Sequence, residues 1–109
     1  MILLLDLTKY KGLHLHFQDG GFQKLKELRV DHSSRLREII VDKGSMPSLK
    51  TLSLFRLFNL MNIPTGIQHL EKLEELLIFG VDDEFGERSS TEDWNWIMEL
   101  KFILKILKK

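Results

Sequence analysis

The stretch LKTLSLFRLFNLMNIPTGIQHLEKLEEL, residues 49–76, carries two patterns in succession. Leu49, Leu52 and Leu54 form an L-xx-L-x-L core, followed by Leu60, Ile63-Pro64, Ile67, Leu70, Leu73 and Leu76. A helix face repeats every ~3.6 residues and a strand every ~2, and neither period fits the whole stretch. The L-x-L core suits a short strand whose alternate residues point inward. The later apolar residues suit a tight turn or 3₁₀ return path.

Working outward, the same core recurs. Leu25-xx-Leu28-x-Val30, Leu49-xx-Leu52-x-Leu54 and Leu73-xx-Leu76-x-Ile78 are each 24 residues apart. A weaker copy, Ile2-xx-Leu5-x-Leu7, stands 23 residues before the first of them. A period of ~20–29 residues with this core marks a leucine-rich repeat, in which each coil of chain supplies one strand to a parallel sheet. The expected fold is therefore an α/β leucine-rich-repeat solenoid with about four repeats of ~24 residues. Its short parallel sheet lies on the concave side, with loops and 3₁₀ turns on the convex side. Strands are expected near residues 3–7, 26–30, 50–54 and 74–78, side by side in that order.

The rest of the chain reads around these strands. Leu13-His14-Leu15-His16-Phe17 alternates and suits an extended return segment, and Gly20-Gly21 a turn. Asp31-His32-Ser33-Ser34 and Asp42-Lys43-Gly44-Ser45 also carry turn chemistry. Ile39-Ile40-Val41 is β-branched, as a short convex-side strand requires. Gln68–Glu75 suits one or two helical turns. Residues 1–81 thus form the repeats. Residues 82–93 form an acidic loop, since the run from Gly80 to Asp93 holds six acids against Arg88 alone. Residues 94–109 are a C-terminal capping segment or an atypical basic amphipathic tail. Thr91–Asp93 would cap a helix over Trp94–Leu107. Lys101, Lys105 and Lys108 would share one face of it, which suits either a membrane-surface helix or packing of its apolar side. Trp94 and Trp96 read as a cap over the open end of the solenoid or as an exposed anchor for a partner.

Composition removes several functions. The 109 residues make one domain or part of one. Net charge is zero, so no broad attraction to nucleic acid or membrane is expected. The chain has no cysteine, which excludes disulfides, thiolate catalysis and cysteine-ligated zinc. MILLL is too short for a signal-peptide core and Asp6 interrupts it, and no Asn-x-Ser/Thr site occurs; a cytoplasmic setting is expected. His14 and His16 share a face of an extended run, with Asp19 nearby, too few ligands for a zinc site. Asp82-Asp83-Glu84 lacks the spacing of a calcium loop. Neither serine pair has a partnered His/Asp signature, and no G-x-x-x-x-G-K-[ST] loop exists to cradle a nucleotide. No catalysis, metal or cofactor is expected.

The concave face follows from the spacing. Between the second and third apolar positions stand Asp6, Arg29, Ser53 and Leu77, which should form one row. Lys26, Glu27, Lys50, Thr51, Glu74 and Glu75 flank it. Asp6 and Arg29 should be strand neighbours and able to pair. This mixed surface is where a solenoid of this kind binds other proteins.

Three phrases carry a resemblance: GGFQKLKELRV, DKGSMPSLKTLSL and IPTGIQHLEKLEEL, followed by VDDEF. In that order they are similar to the C-terminal repeats of plant intracellular immune receptors, the coiled-coil class of nucleotide-binding, leucine-rich-repeat (NB-LRR) disease-resistance proteins. The similarity runs over residues 1–97. It implies a protein-recognition and regulatory role in defence. The implied partner is a pathogen effector or a guarded host protein, with the nucleotide-binding domain as a partner in full-length relatives. The nucleotide-binding motif is missing, and relatives continue past Trp94–Ile97 with a further hydrophobic strand where this chain runs FILKILKK. The chain therefore reads as a fragment of such a receptor. A secreted leucine-rich-repeat protein and a non-functional truncated gene product are the alternatives.

Overall fold

The computed structural model describes residues 2–81 in full and residues 103–108 by their backbone. Five strands build the main sheet: β1 (Ile2–Asp6), β3 (Glu27–Ser33), β5 (Thr51–Leu57), β6 (Glu75–Val81) and β7 (Ile103–Lys108). They lie in that order, and every neighbouring pair is parallel. The return paths carry β2 (His14–Phe17) and β4 (Glu38–Val41), a second parallel pair on the convex side. The next coil adds a single bridge, Thr65 to Ile40, and then a 3₁₀ helix, Ile67–His69. The chain is a parallel-sheet solenoid, as the leucine spacing requires.

Each leucine position becomes a column. Leu28, Leu52 and Leu76 pair in register and are 0–2% exposed. Val30, Leu54 and Ile78 form a second buried column. Leu25, Leu49 and Leu73 close the coil behind them, while Leu36, Ile39, Leu60, Ile63, Ile67 and Leu70 fill the interior from the convex side. Burial of such side chains contributes roughly 1.5–3 kcal/mol each, so the repeated leucines supply most of the driving force. The coils are also latched at their lead-in turns. The Lys26 carbonyl accepts from the amides of Lys50 and Thr51, and the Lys50 carbonyl from those of Glu74 and Glu75.

Three expectations need correction. First, β1 pairs Leu3 with Leu28 and Leu5 with Val30, so the first step is 25 residues and the copy Ile2-xx-Leu5-x-Leu7 is out of register. Leu3 and Leu5 face the core and Ile2, Leu4 and Asp6 face out, because alternation must bury one set. Second, β3 runs through His32 to Ser33, which pairs with Leu57. The turn starts only at Ser33, whose Oγ accepts from the amides of Arg35 and Leu36. Third, the end of the helix expected over Trp94–Leu107 is instead β7, set parallel to β6. Leu104-x-Ile106 takes the register positions of Leu76-x-Ile78 and extends the sheet by a strand. The acidic stretch 82–93 and both tryptophans lie outside the described residues.

At positions 32, 56 and 80, one per coil, the backbone turns left-handed: His32 has φ 63°, Arg56 φ 53° and Gly80 φ 74°. Only the last is glycine. Each sits at an irregularity in the ladder, between the residue before it and the one after. At His32 and Arg56 both strands skip one pair and the register is kept, whereas at Gly80 the register shifts, a bulge of the kind that increases local twist.

Candidate site on the concave face

Alternation along β3, β5 and β6 sends every second side chain out of the sheet. Parallel register then arranges these side chains in three columns. Ile2, Glu27, Thr51 and Glu75 form the first, and Leu4, Arg29, Ser53 and Leu77 the second. Asp6, Asp31, Phe55 and Phe79 form the third. In β7 the backbone positions paired with Glu75, Leu77 and Phe79 are Ile103, Lys105 and Leu107.

Of the expected face, Glu27, Arg29, Thr51, Ser53, Glu75 and Leu77 occupy these columns. Lys26, Lys50 and Glu74 stand at the lead-in turns on the rim, where Lys50 Nζ lies 3.9 Å from Glu74 Oε2 between two exposed side chains. A rim pair of this length contributes ~0–1 kcal/mol. Asp6 faces the same side as Arg29 but lies two positions further along: Leu4 is opposite Arg29, and Asp6 is opposite Asp31. The expected Asp6–Arg29 pair is therefore corrected. Asp6 instead accepts from the hydroxyl and amide of Thr8, two residues on, and those bonds hold its carboxyl below the usual range.

The third column holds what the spacing did not reveal. Asp31 is 8% exposed, and Arg56 grips it, with Nε 2.9 Å from Oδ1 and Nη2 2.9 Å from Oδ2. This fork-to-fork bond, aided by the charges of Arg56 and Arg29, depresses the Asp31 carboxyl against the opposing effect of burial; in turn it raises Arg56. Arg29 reaches the same carboxylate only at 3.5 Å. Its guanidinium lies 4.3 Å above the centre of the Phe55 ring, a cation–π stack. Phe55 and Phe79 are half-buried, with ring centres 5.1 Å apart. Beside them Leu77 is also half-buried. The result is a cation on an apolar strip, next to a carboxylate already engaged.

The convex side differs. His14 Nδ1 lies 3.5 Å from Glu38 Oε2 and His16 Nε2 lies 2.8 Å from Asp42 Oδ1, both across the β2–β4 pair. Beside them an open cleft of about 560 Å³ is lined by His14, Arg37, Glu38, Met61, Asn62, Ile63 and Thr65. His32 packs edge-on against Phe58, and His69 ends the 3₁₀ helix. Among the described residues, no three His, Cys, Asp or Glu side chains converge as metal ligands, and no helix is long and apolar enough to cross a membrane.

No protein-family model matches the chain, and no solved structure matches it. Curated plant proteins do. Disease resistance RPP8-like protein 3 of Arabidopsis thaliana is 37% identical over 83 residues, 76% of this chain and 9% of that protein. Disease resistance protein RPP8 is 34% identical and disease resistance protein RPH8A 37% identical, each over 79 residues or 72% of this chain, both from the same plant. The chain spans only 9% of the length of each of these relatives.

Proposed function

The chain belongs, over the segment they share, to the plant disease-resistance proteins of the coiled-coil NB-LRR class, and on that premise we propose that it is a protein-recognition and regulatory module. In this reading it acts in the cytoplasm, within an immune receptor, without catalysis of its own. Its concave face meets a pathogen effector or a guarded host protein. The same solenoid restrains the nucleotide-binding domain in the full-length receptor. The supporting observation is the concave strip itself. Leu77, Phe55 and Phe79 leave apolar area in the open beside the charged Arg29, and a sheet face free of packing duty is where a solenoid binds.

The test is capture of the nucleotide-binding region of a coiled-coil-class receptor by this chain in a pull-down. Leu77→Arg and Arg29→Glu alter the concave face, and His16→Arg alters the convex one. The expected result is reduced capture by the two concave variants and unchanged capture by His16→Arg, with all three folded by circular dichroism. Loss confined to His16→Arg, or no capture by the parent chain, would overturn the reading.

A further inference from the structure

We propose that Arg29, stacked on Phe55, is a carboxylate receptor, and that the concave face takes an extended protein segment bearing an acidic residue two positions from an aromatic one. This rests on the concave face being the recognition face and specifies what it recognises.

Asp31 is shared unequally between its two arginines. Both its oxygens are bonded to Arg56 at 2.9 Å, the length of a strong charge-assisted bond. Arg29 is left with a single approach at 3.5 Å, the outer limit of a hydrogen bond. Its side chain is 48% exposed. Contact with the Phe55 ring fixes the guanidinium plane, so the ordering cost of a fork-shaped group is met before any partner arrives. Arg29 therefore offers unsatisfied, pre-oriented donors above β5.

Surrounding charge selects the ligand class. Glu27 and Glu75 stand in the neighbouring column, and Asp31 in the other is already engaged by Arg56, so among the described side chains of the three columns Arg29 is the cation whose fork stays open, flanked by carboxylates. A polyanion such as nucleic acid would be repelled by these neighbours, whereas one carboxylate fits the one open fork. An acidic side chain set over Glu27 or Glu75 would meet like charge, which fixes its place over Arg29.

The apolar strip supplies the second contact. Phe79 lies one strand beyond Phe55, with ring centres 5.1 Å apart, and Leu77 flanks it. In an extended segment, side chains two residues apart lie on the same side at roughly 6.6 Å, from a rise of ~3.3 Å per residue. That span carries one side chain from the Arg29 fork, above Phe55, to the Phe79–Leu77 edge. An aromatic side chain there covers the exposed ring area and makes an aromatic pair, the kind of contact that anchors interfaces.

The test is selection of a displayed library of random dodecapeptides against the whole chain, followed by binding of the selected peptides in solution. The expected peptides carry Asp or Glu two positions from Phe, Tyr or Trp. Arg29→Gln should weaken them about tenfold, the loss of one charge-assisted bidentate contact. Selection repeated on that variant should retain the aromatic residue and lose the acidic one. Arg29→Lys, which keeps the charge without the planar fork, should fall between the two and guards against a folding defect in the glutamine variant. Peptides without an acidic preference, or an acidic preference untouched in both variants, would overturn the proposal. In that case Leu77→Arg separates the readings: if it abolishes their binding, the concave face remains the recognition face; if it does not, that reading falls too. Failure to select any peptide overturns this inference and leaves the pull-down to judge the broader one.

Discussion

Arg56 reaches back across one full coil to hold Asp31 by both carboxylate oxygens. The bond ties β5 to β3 on the concave face, at the place where Arg56 takes a left-handed backbone. Removing the guanidinium leaves a carboxylate that is 8% exposed with only the distant Arg29.

Arg56→Gln is therefore expected to lower the thermal midpoint at pH 7 by several degrees. The gap should depend on pH. Asp31 titrates at about 3.8 when unfolded and lower when folded. Its contribution is complete above the unfolded value and disappears as pH falls through the folded one. The parent and the variant should thus converge below pH ~4. Urea melts from pH 7 to pH 2 check this, and a gap that stays constant over that range rejects the ion pair as its cause.

Leu52 sits between Leu28 and Leu76 at 2% exposure. Leu52→Ala should cost about 2–5 kcal/mol, the loss of buried methyl groups plus a cavity. Leu52→Asp should cost more, because it buries an unpaired charge. Chemical unfolding measures both, and an unchanged midpoint for the aspartate variant would mean the column does not exist.

Gly20 and Gly66 both have left-handed backbones, φ 79° and 88°. Their surroundings differ. A Cβ on Gly20 meets nothing within 4 Å, whereas one on Gly66 would run into the Val41 carbonyl oxygen. There the Val41 amide donates to the Thr65 carbonyl and the Thr65 amide to the Ile39 carbonyl, each at 2.8 Å, so the backbone has little room to give. Gly20→Ala should cost about 1 kcal/mol in backbone strain alone. Gly66→Ala should cost clearly more. Equal midpoints in parallel denaturant titrations would remove the steric part of the argument.

These positions also show what could be read without coordinates. The 24-residue step was legible because Leu28, Leu52 and Leu76 are leucines separated by polar or small residues in two of three coils. The β1 register was not, because residues 1–5 are all apolar and any alternation fits them. Strand β7 was hidden because Lys101, Lys105 and Lys108 fall at helical spacing, although Leu104-Lys105-Ile106 also fits the strand period. At the candidate site, Arg29, Ser53 and Leu77 follow from the leucine pattern. Phe55 and Phe79 do not, since each follows another apolar residue and the pair reads as core. Alternation continued one step beyond Leu54 and Ile78 would have turned them outward. Asp31 was lost to turn chemistry that begins two residues later. The Arg56 bond depends on a left-handed residue inside a strand, which local sequence does not announce.

His32, Arg56 and Gly80 share a left-handed backbone, and glycine stands at one of the three. A residue with a Cβ pays roughly 1–2 kcal/mol to hold a left-handed backbone, and glycine does not. At His32, φ 63°, both alanine and glycine lose the ring contact with Phe58, so their difference isolates the backbone. His32→Gly should therefore be more stable than His32→Ala by about 1 kcal/mol. At Thr51, in the regular part of β5, the order should reverse, because glycine there only adds freedom to the unfolded chain. Equilibrium unfolding of the four variants settles both comparisons. If His32→Gly is the less stable of its pair, the left-handed backbone at His32 does not carry the cost assigned to it.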